Sequence, residues 1–260
     1  MDPFSHPALE EIDAIAPDLH RFGARLEQDP EDWEDLWGVE LMRALTLIEV
    51  PAEYSAIPNC GGRFGPGGVS YLQLLGVSER ISRHDPNCIL ALPTPGLGGF
   101  AFSVLGTAAQ KRMFFERYAA DRPPRNFFAI TEPSVGSDAT HGESRITAGP
   151  GGLRLTAHKK LVGSMPQSDL GVIFVRDECT KSHKLVIADR AMLDRMTVTR
   201  LAMTGLRGAD LGELHAEDLD IGEGATVGLG VVAVALGIVF EGQNVAFMVS
   251  LAFAIAASAN

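Results

Sequence analysis

Cysteine is scarce in this chain. The three present, Cys60, Cys88 and Cys179, lie far apart in 260 residues. That excludes a disulfide framework and any closely spaced thiolate metal site, and it suits a reducing cytosol. Positive charge is short as well: 22 Lys and Arg face 33 Asp and Glu, leaving −11, so nucleic acid is not an expected partner. The start, Met1-Asp2-Pro3-Phe4-Ser5-His6, has neither the basic region nor the apolar core of a signal peptide, and a cytoplasmic location is the expectation. The glycine-dense loop from Asn59 to Gly68 lacks the following Lys-Ser or Lys-Thr and the preceding strand of a phosphate loop. What remains is ordinary globular composition, 46% hydrophobic and 21% charged, enough for one large or two modest domains.

The first 120 residues or so read as helical. Leu9, Ile12, Ile15, Leu19, Phe22 and Leu26 recur at helical spacing over 7–28, with Pro17 placed to kink or split the helix and Asp29-Pro30 to end it. A second helix is expected from Asp32 to Ile48, and a third over 69–84 burying Leu72, Leu74, Leu75, Val77 and Ile81. Pro93 and Pro95 break 87–105 into two short helices, and Gly106-Thr107 caps a last one over 107–119. Asp121-Arg122-Pro123-Pro124-Arg125 reads as a polar linker. Short β-type runs follow at 127–131, 144–148, 152–157, 170–176, 184–188, 196–201 and 213–219. With no helices between them they predict an antiparallel barrel or sandwich, and an α+β chain overall. Beyond Gly228 the chain is apolar, with Glu241 its single charge; Glu241, Gln243 and Asn244 at its middle favour a buried helix over a membrane span.

One stretch carries chemistry. The run Phe127-Phe128-Ala129-Ile130 leads into Thr131-Glu132-Pro133-Ser134-Val135-Gly136-Ser137-Asp138. Pro133 ends the strand, and Gly136 is expected to supply an unusual φ in a sharp turn that gathers backbone N–H groups with the Thr131 and Ser137 hydroxyls. This string resembles the T-E-P-x-x-G-S-D signature of the acyl-CoA dehydrogenase family. Val50-Pro51-Ala52-Glu53-Tyr54 is similar to that family's V-P-x-E-Y-G, with Ser55 for glycine. Leu105-Gly106-Thr107 with Gln110-Lys111 is similar to L-G-T-x-x-Q-K, and Gly205 to Leu214 to G-x-R-G-S-x-x-x-E-L. Lys159 to Gly163 stands where the family has K-x-W-I-T or K-x-W-I-S, with Leu161 for the aromatic and Gly163 for the hydroxyl residue. Ser164 follows, and would substitute if the strand shifts.

The resemblance implies a helical domain over 1–125, a β domain over 126–223, and, over 224–260, the first helix of a C-terminal helical bundle. It implies FAD as cofactor, contacted by Phe128, Ile130, Thr131, Gly136, Ser137, Leu161, Gly163 and Ser164. Ser137 would also lie by the substrate thioester, and Asn244 stands where the family often has a substrate-side arginine. No residue matches the family's catalytic glutamate; Glu241 would serve only if its helix rotates, and Glu132 has a structural place at the bend. The implied reaction is α,β-dehydrogenation of an acyl thioester on coenzyme A or an acyl-carrier protein, with a flavoprotein or oxygen as electron acceptor. The Val162-Gly163-Ser164 segment is similar to branches that serve natural-product pathways on carrier-bound acyl groups. Two alternatives stay open: an oxygen-using hydroxylase on the same fold, and a non-catalytic subunit of a hetero-oligomer. The chain as written is expected to act as a homo-oligomer or with a complete partner subunit, and to be deficient in catalysis by itself.

Overall fold

The structure, a computed structural model, describes residues 7–63, 70–136, 138–222 and 226–228. Ser137, Glu241, Asn244 and the expected helix beyond Gly228 lie outside the described residues. The chain falls into two compact units. One takes in the described residues up to Thr94 together with Met203–Ala209; the other takes in Pro95–Ala202 and the described residues from Asp210 on.

The first unit is helical. Helices α1 (Pro7–Ala14) and α2 (Ala16–Gln28) are separate, with Pro17 in the first turn of α2, where its missing N–H costs nothing. The expected second helix is two: α3 (Glu34–Gly38) and α4 (Glu40–Thr46). They break at Val39, whose extended backbone (φ −76°, ψ 120°) follows a glycine that gives the helix little support. Helix α5 (Tyr71–His84) opens with a reciprocal capping box between Ser70 and Gln73. Its Val77 and Ile81 are buried, but Leu72 is 45% exposed, against the sequence expectation. The short α6 (Asn87–Leu90) follows. Ile12, Leu19, Phe22, Leu26, Trp33, Leu36, Met42 and Ile81 build the core of this unit. The segment 203–209 joins it through α2 and α6. Glu27 Oε2 accepts from Asn87 Nδ2 and from the Arg207 N–H, each at 3.1 Å, and the Gly208 N–H donates to Asn87 Oδ1 at 2.9 Å. A Cβ on Gly208 would lie 2.8 Å from the Asn87 carbonyl oxygen, so the glycine is there for close approach.

The second unit holds α7 (Gly96–Leu105), α8 (Ala108–Phe115) and a mixed sheet. A Thr107–Gln110 capping box starts α8. Phe114 stacks on Phe102 at 4.4 Å, and Tyr118 beyond it is fully buried and accepts from Asn126 Nδ2 at 2.7 Å. The strands are β1 (Asn126–Ala129), β2 (Arg145–Gly149), β3 (Gly152–Val162), β4 (Leu170–Asp177), β5 (Ser182–Asp189), β6 (Thr197–Arg200), β7 (Gly212–Gly222) and β8 (Thr226–Gly228). A single turn, α9 (Arg190–Leu193), separates β5 from β6. The sheet order is β6-β7-β3-β2-β4-β5-β8, with β1 also on β4.

The sheet is not wholly antiparallel. Strand β1 pairs with β4 in parallel over Asn126–Ala129 and Leu170–Ile173, and β2 pairs with β4 in parallel at Arg145 and Ile146 against Arg176 and Asp177. The chain therefore does not reverse after β1. It makes an excursion over 130–144 and resumes its direction further along the same edge of β4. The 121–125 stretch is also less polar in place than in composition, since Pro123, Pro124 and Arg125 are buried.

The β4–β5 hairpin is closed by Asp177. Burial alone would raise its carboxyl pKa, but Lys184 Nζ at 2.6 Å, Thr180 and the N–H groups of Cys179 and Thr180 bring it to about 2. A carboxyl depressed on folding stabilises the fold above its ordinary pKa of 3.8, and that contribution is lost as pH falls through about 2. Asp177→Asn is expected to cost about 2 kcal/mol at pH 7 and to flatten the urea-stability profile between those two pH values; an unchanged profile would count against the assignment.

Candidate functional site

Strand β1 carries Phe127 and Ala129 into the core and turns Phe128 and Ile130 away from it. The excursion that follows is closed on itself: Glu132 N–H donates to the Val135 carbonyl at 3.0 Å and Val135 N–H to the Glu132 carbonyl at 3.3 Å. Gly136 is exposed, but it does not supply the unusual φ the sequence led one to expect, since its backbone lies outside the left-handed region. The reversed hydrogen bonding between residues 132 and 135 makes the bend instead. A Cβ built on Gly136 would meet no protein atom within 4 Å.

Glu132 holds both ends of the excursion. Its carboxylate accepts from the Glu143 N–H at 2.6 Å and the Ser144 N–H at 3.1 Å, and from Lys159 Nζ at 2.7 Å. Lys159, 1% exposed, also donates to the Ile130 carbonyl at 3.1 Å and lies 6.0 Å over the Phe174 ring. Burial works against both charges and lowers the Lys159 pKa. It would raise that of Glu132, yet the ammonium and the two backbone donors hold the carboxylate below its ordinary value. Such a carboxylate is committed to structure and makes a poor proton acceptor.

The second segment meets the first. The Lys160 N–H donates to the Thr131 carbonyl at 2.9 Å, so residues 159–164 run beside the end of β1. Here β3 carries a bulge. Lys159 faces Leu214 and Val162 faces Gly212, three steps against two. Simple alternation from buried Lys159 would send Leu161 inward. The bulge instead buries Val162 at 2% and leaves Leu161 58% exposed. Leu161 and Ser164 both take φ 59°, whereas Gly163 between them does not take a left-handed φ. Two side-chain-bearing residues thus hold a conformation that glycine adopts at lower cost.

The backbone bond from Lys160 to Thr131 and the Arg125–Ser164 bond therefore set residues 160–164 beside the stretch 125–131, which carries Phe128, Ile130 and Thr131. Gly136 is on the same excursion. Sequence reasoning left out two residues that shape this region, Lys159 as the ion-pair partner of Glu132 and Arg125 as a donor to Ser164 Oγ at 2.9 Å. Neither carries a spacing signal, because both contacts join distant parts of the chain. A hollow of about 340 Å³ is lined by Glu132, Pro133 and Ser134 of the excursion and by residues of β2, β3 and β7 including Arg145, His158, His215 and Glu217. It includes none of Phe128, Ile130, Thr131, Leu161, Gly163 or Ser164. Its charged lining of both signs suits no flat apolar ring, so the β1–β3 junction is the stronger candidate.

Residues 127–219 match the family model for the acyl-CoA dehydrogenase middle domain. Among solved structures, butyryl-CoA dehydrogenase from Megasphaera elsdenii is similar at 17% identity and TM-score 0.70, over 90% of this chain and 62% of that one. The prolyl acyl carrier protein oxidase AnaB is similar at 15% identity and TM-score 0.66, over 95% and 65%. A glutaryl-CoA dehydrogenase from Mycobacterium smegmatis, solved in complex with FADH2, is similar at 16% identity and TM-score 0.63, over 90% and 59%. The chain spans about three fifths of the length of these structures. Residues 127–219 thus match the acyl-CoA dehydrogenase middle domain, and the chain that carries them has the acyl-CoA dehydrogenase-like fold.

Proposed function

We propose that this chain holds FAD at the β1–β3 junction and serves an oxidoreductase that removes the α and β hydrogens of an acyl thioester. The observation that carries this reading is the meeting of two segments, 128–136 and 161–164, around an exposed leucine turned out of its strand by a bulge. The residues fit the group: Leu161, Phe128 and Ile130 offer apolar contact to a ring, Thr131 and Ser164 offer hydroxyls to its polar edge, and Gly136 leaves open space for close approach. When bound, FAD supplies the acceptor for the hydride that leaves the β-carbon. The chain's own part is to bind and orient the ring and to shield it from water.

The named neighbours support an acyl group on either coenzyme A or a carrier protein. Glu132, tied to Lys159 and two backbone donors, is not the base that takes the α-proton. Ser137 and Asn244 are proposed on the substrate side and Glu241 as the candidate base; all three lie outside the described residues. A flavoprotein or oxygen would take the electrons onward. The lack of a hydroxyl at Gly163 favours a second reading, an oxygen-using enzyme on the same site.

Fluorescence titration of FAD with the 260-residue chain tests the first reading. Saturable binding is expected. Gly136→Val is expected to weaken it tenfold or more, a loss of about 1.4 kcal/mol, with an unchanged melting temperature, because the new side chain meets solvent and ligand but no protein. A chain that binds no FAD would point to a non-catalytic subunit. Oxygen consumption with thioester, against anaerobic bleaching of the flavin, separates the oxygen-using reading from the dehydrogenase.

A further inference from the structure

Arg125 is 2% exposed and precedes β1 by one residue. Its carbonyl accepts the Asp169 N–H at 3.1 Å, which fixes its backbone beside the start of β4. Its Nη2 donates to Ser164 Oγ at 2.9 Å. Ser164 is itself held from behind: its carbonyl accepts Ser168 Oγ at 2.7 Å and the Gln167 N–H at 3.2 Å, and its φ is 59°. That conformation costs a non-glycine residue on the order of 1 kcal/mol and persists only where the surroundings over-determine it. The arrangement places a hydroxyl, rather than a bare glycine, at the left-handed step beyond the bulge.

We propose that Arg125 is a positioning residue for the flavin edge of this site. A guanidinium has five donors and no acceptor. By donating to Ser164 Oγ it occupies an oxygen lone pair and obliges the hydroxyl hydrogen to point away from the core. Ser164 is thereby a hydrogen-bond donor to an electron-rich atom on the edge of the bound ring, supplying the hydroxyl that Gly163 lacks. The buried positive charge behind it strengthens that donor and favours electron density on the ring. This inference rests on the flavin reading above.

The test uses the full chain as wild type, Ser164→Ala, Arg125→Lys, Arg125→Met and the double Arg125→Met/Ser164→Ala. FAD affinity, the reduction potential of the bound flavin and the melting temperature are measured for each. Ser164→Ala and Arg125→Met are expected each to weaken FAD by about tenfold and to move the potential to more negative values. The double variant should be no worse than Arg125→Met, because the two residues act as one unit. Arg125→Lys should restore much of the potential, since an ammonium also donates without accepting. If Arg125→Met does not fold, Ser164→Ala and Arg125→Lys decide the matter. A Ser164→Ala variant with wild-type affinity and potential overturns the proposal, and so do additive effects of the two single variants. A wild-type chain that binds no FAD overturns the flavin reading, and this inference with it.

Discussion

Glu132→Ala is expected to cost about 3–5 kcal/mol of folding stability, read as a shift of the urea midpoint at constant slope. The substitution leaves the Lys159 ammonium, 1% exposed, without its carboxylate. It also strips the acceptor from the Glu143 and Ser144 N–H groups. Lys159→Met should cost a similar amount for the mirror reason. The double Glu132→Leu/Lys159→Met should recover much of the loss, because no charge is then buried alone, although the two N–H groups still lack their partner. Acid should act on the same pair. A carboxylate held below its ordinary 4.5 on folding adds stability above that value, and the contribution is lost as pH falls through the lower folded value. Thermal melts of Glu132→Ala and wild type should therefore converge in acid. A Glu132→Ala chain within about 1 kcal/mol of wild type at pH 7 would show that the excursion is held by something else. Because the same carboxylate spans residues 132 to 144, the variant should also lose FAD affinity through displacement of Thr131 and Gly136.

Gly171→Val is the second large effect. A Cβ at this position would lie 2.3 Å from Cδ1 and 2.5 Å from Cε1 of Phe127, whose ring lies against the Gly171 backbone. Phe127 is 1% exposed and sits within the core of the second unit, so the ring cannot swing into solvent. Overpacking of this kind costs about 1–3 kcal/mol, occasionally more, and here the clash involves ring carbons close to the backbone. Either β1 must separate from β4 or Phe127 must leave its rotamer. Phe127→Leu in the same chain should recover part of the loss, which a double-mutant cycle of melting midpoints would measure as a coupling. Equal losses in Gly171→Val with and without Phe127→Leu would mean that the strain lies elsewhere. Strand β1 runs directly into Thr131, so a displaced β1 is also expected to weaken FAD binding.

Local chemistry was legible in the sequence where it acts over a few residues. Pro17 separates α1 from α2, Pro93 and Pro95 separate α6 from α7, and Thr107 caps α8, because each effect works within one turn of the chain. The seven β-type runs became strands for the same reason: alternation and turn residues are short-range signals. The Thr131–Asp138 string pointed to the region of the candidate site, and the departures at Leu161 and Gly163 were visible as residue types. Their geometry was not. Alternation would have buried Leu161, and only pairing with β7 creates the bulge that turns it outward. Gly136 was expected to supply a left-handed φ and does not, whereas Leu161 and Ser164 do; Ser164 is held there by its bonds to Arg125 and Ser168 against a local preference worth on the order of 1 kcal/mol. The direction of β2 depended on an edge of β4 that lies some distance down the chain. The Glu132–Lys159 pair spans 27 residues and the Arg125–Ser164 bond 39. No periodicity reports such contacts, because they exist only once β1 and the end of β3 have been brought side by side.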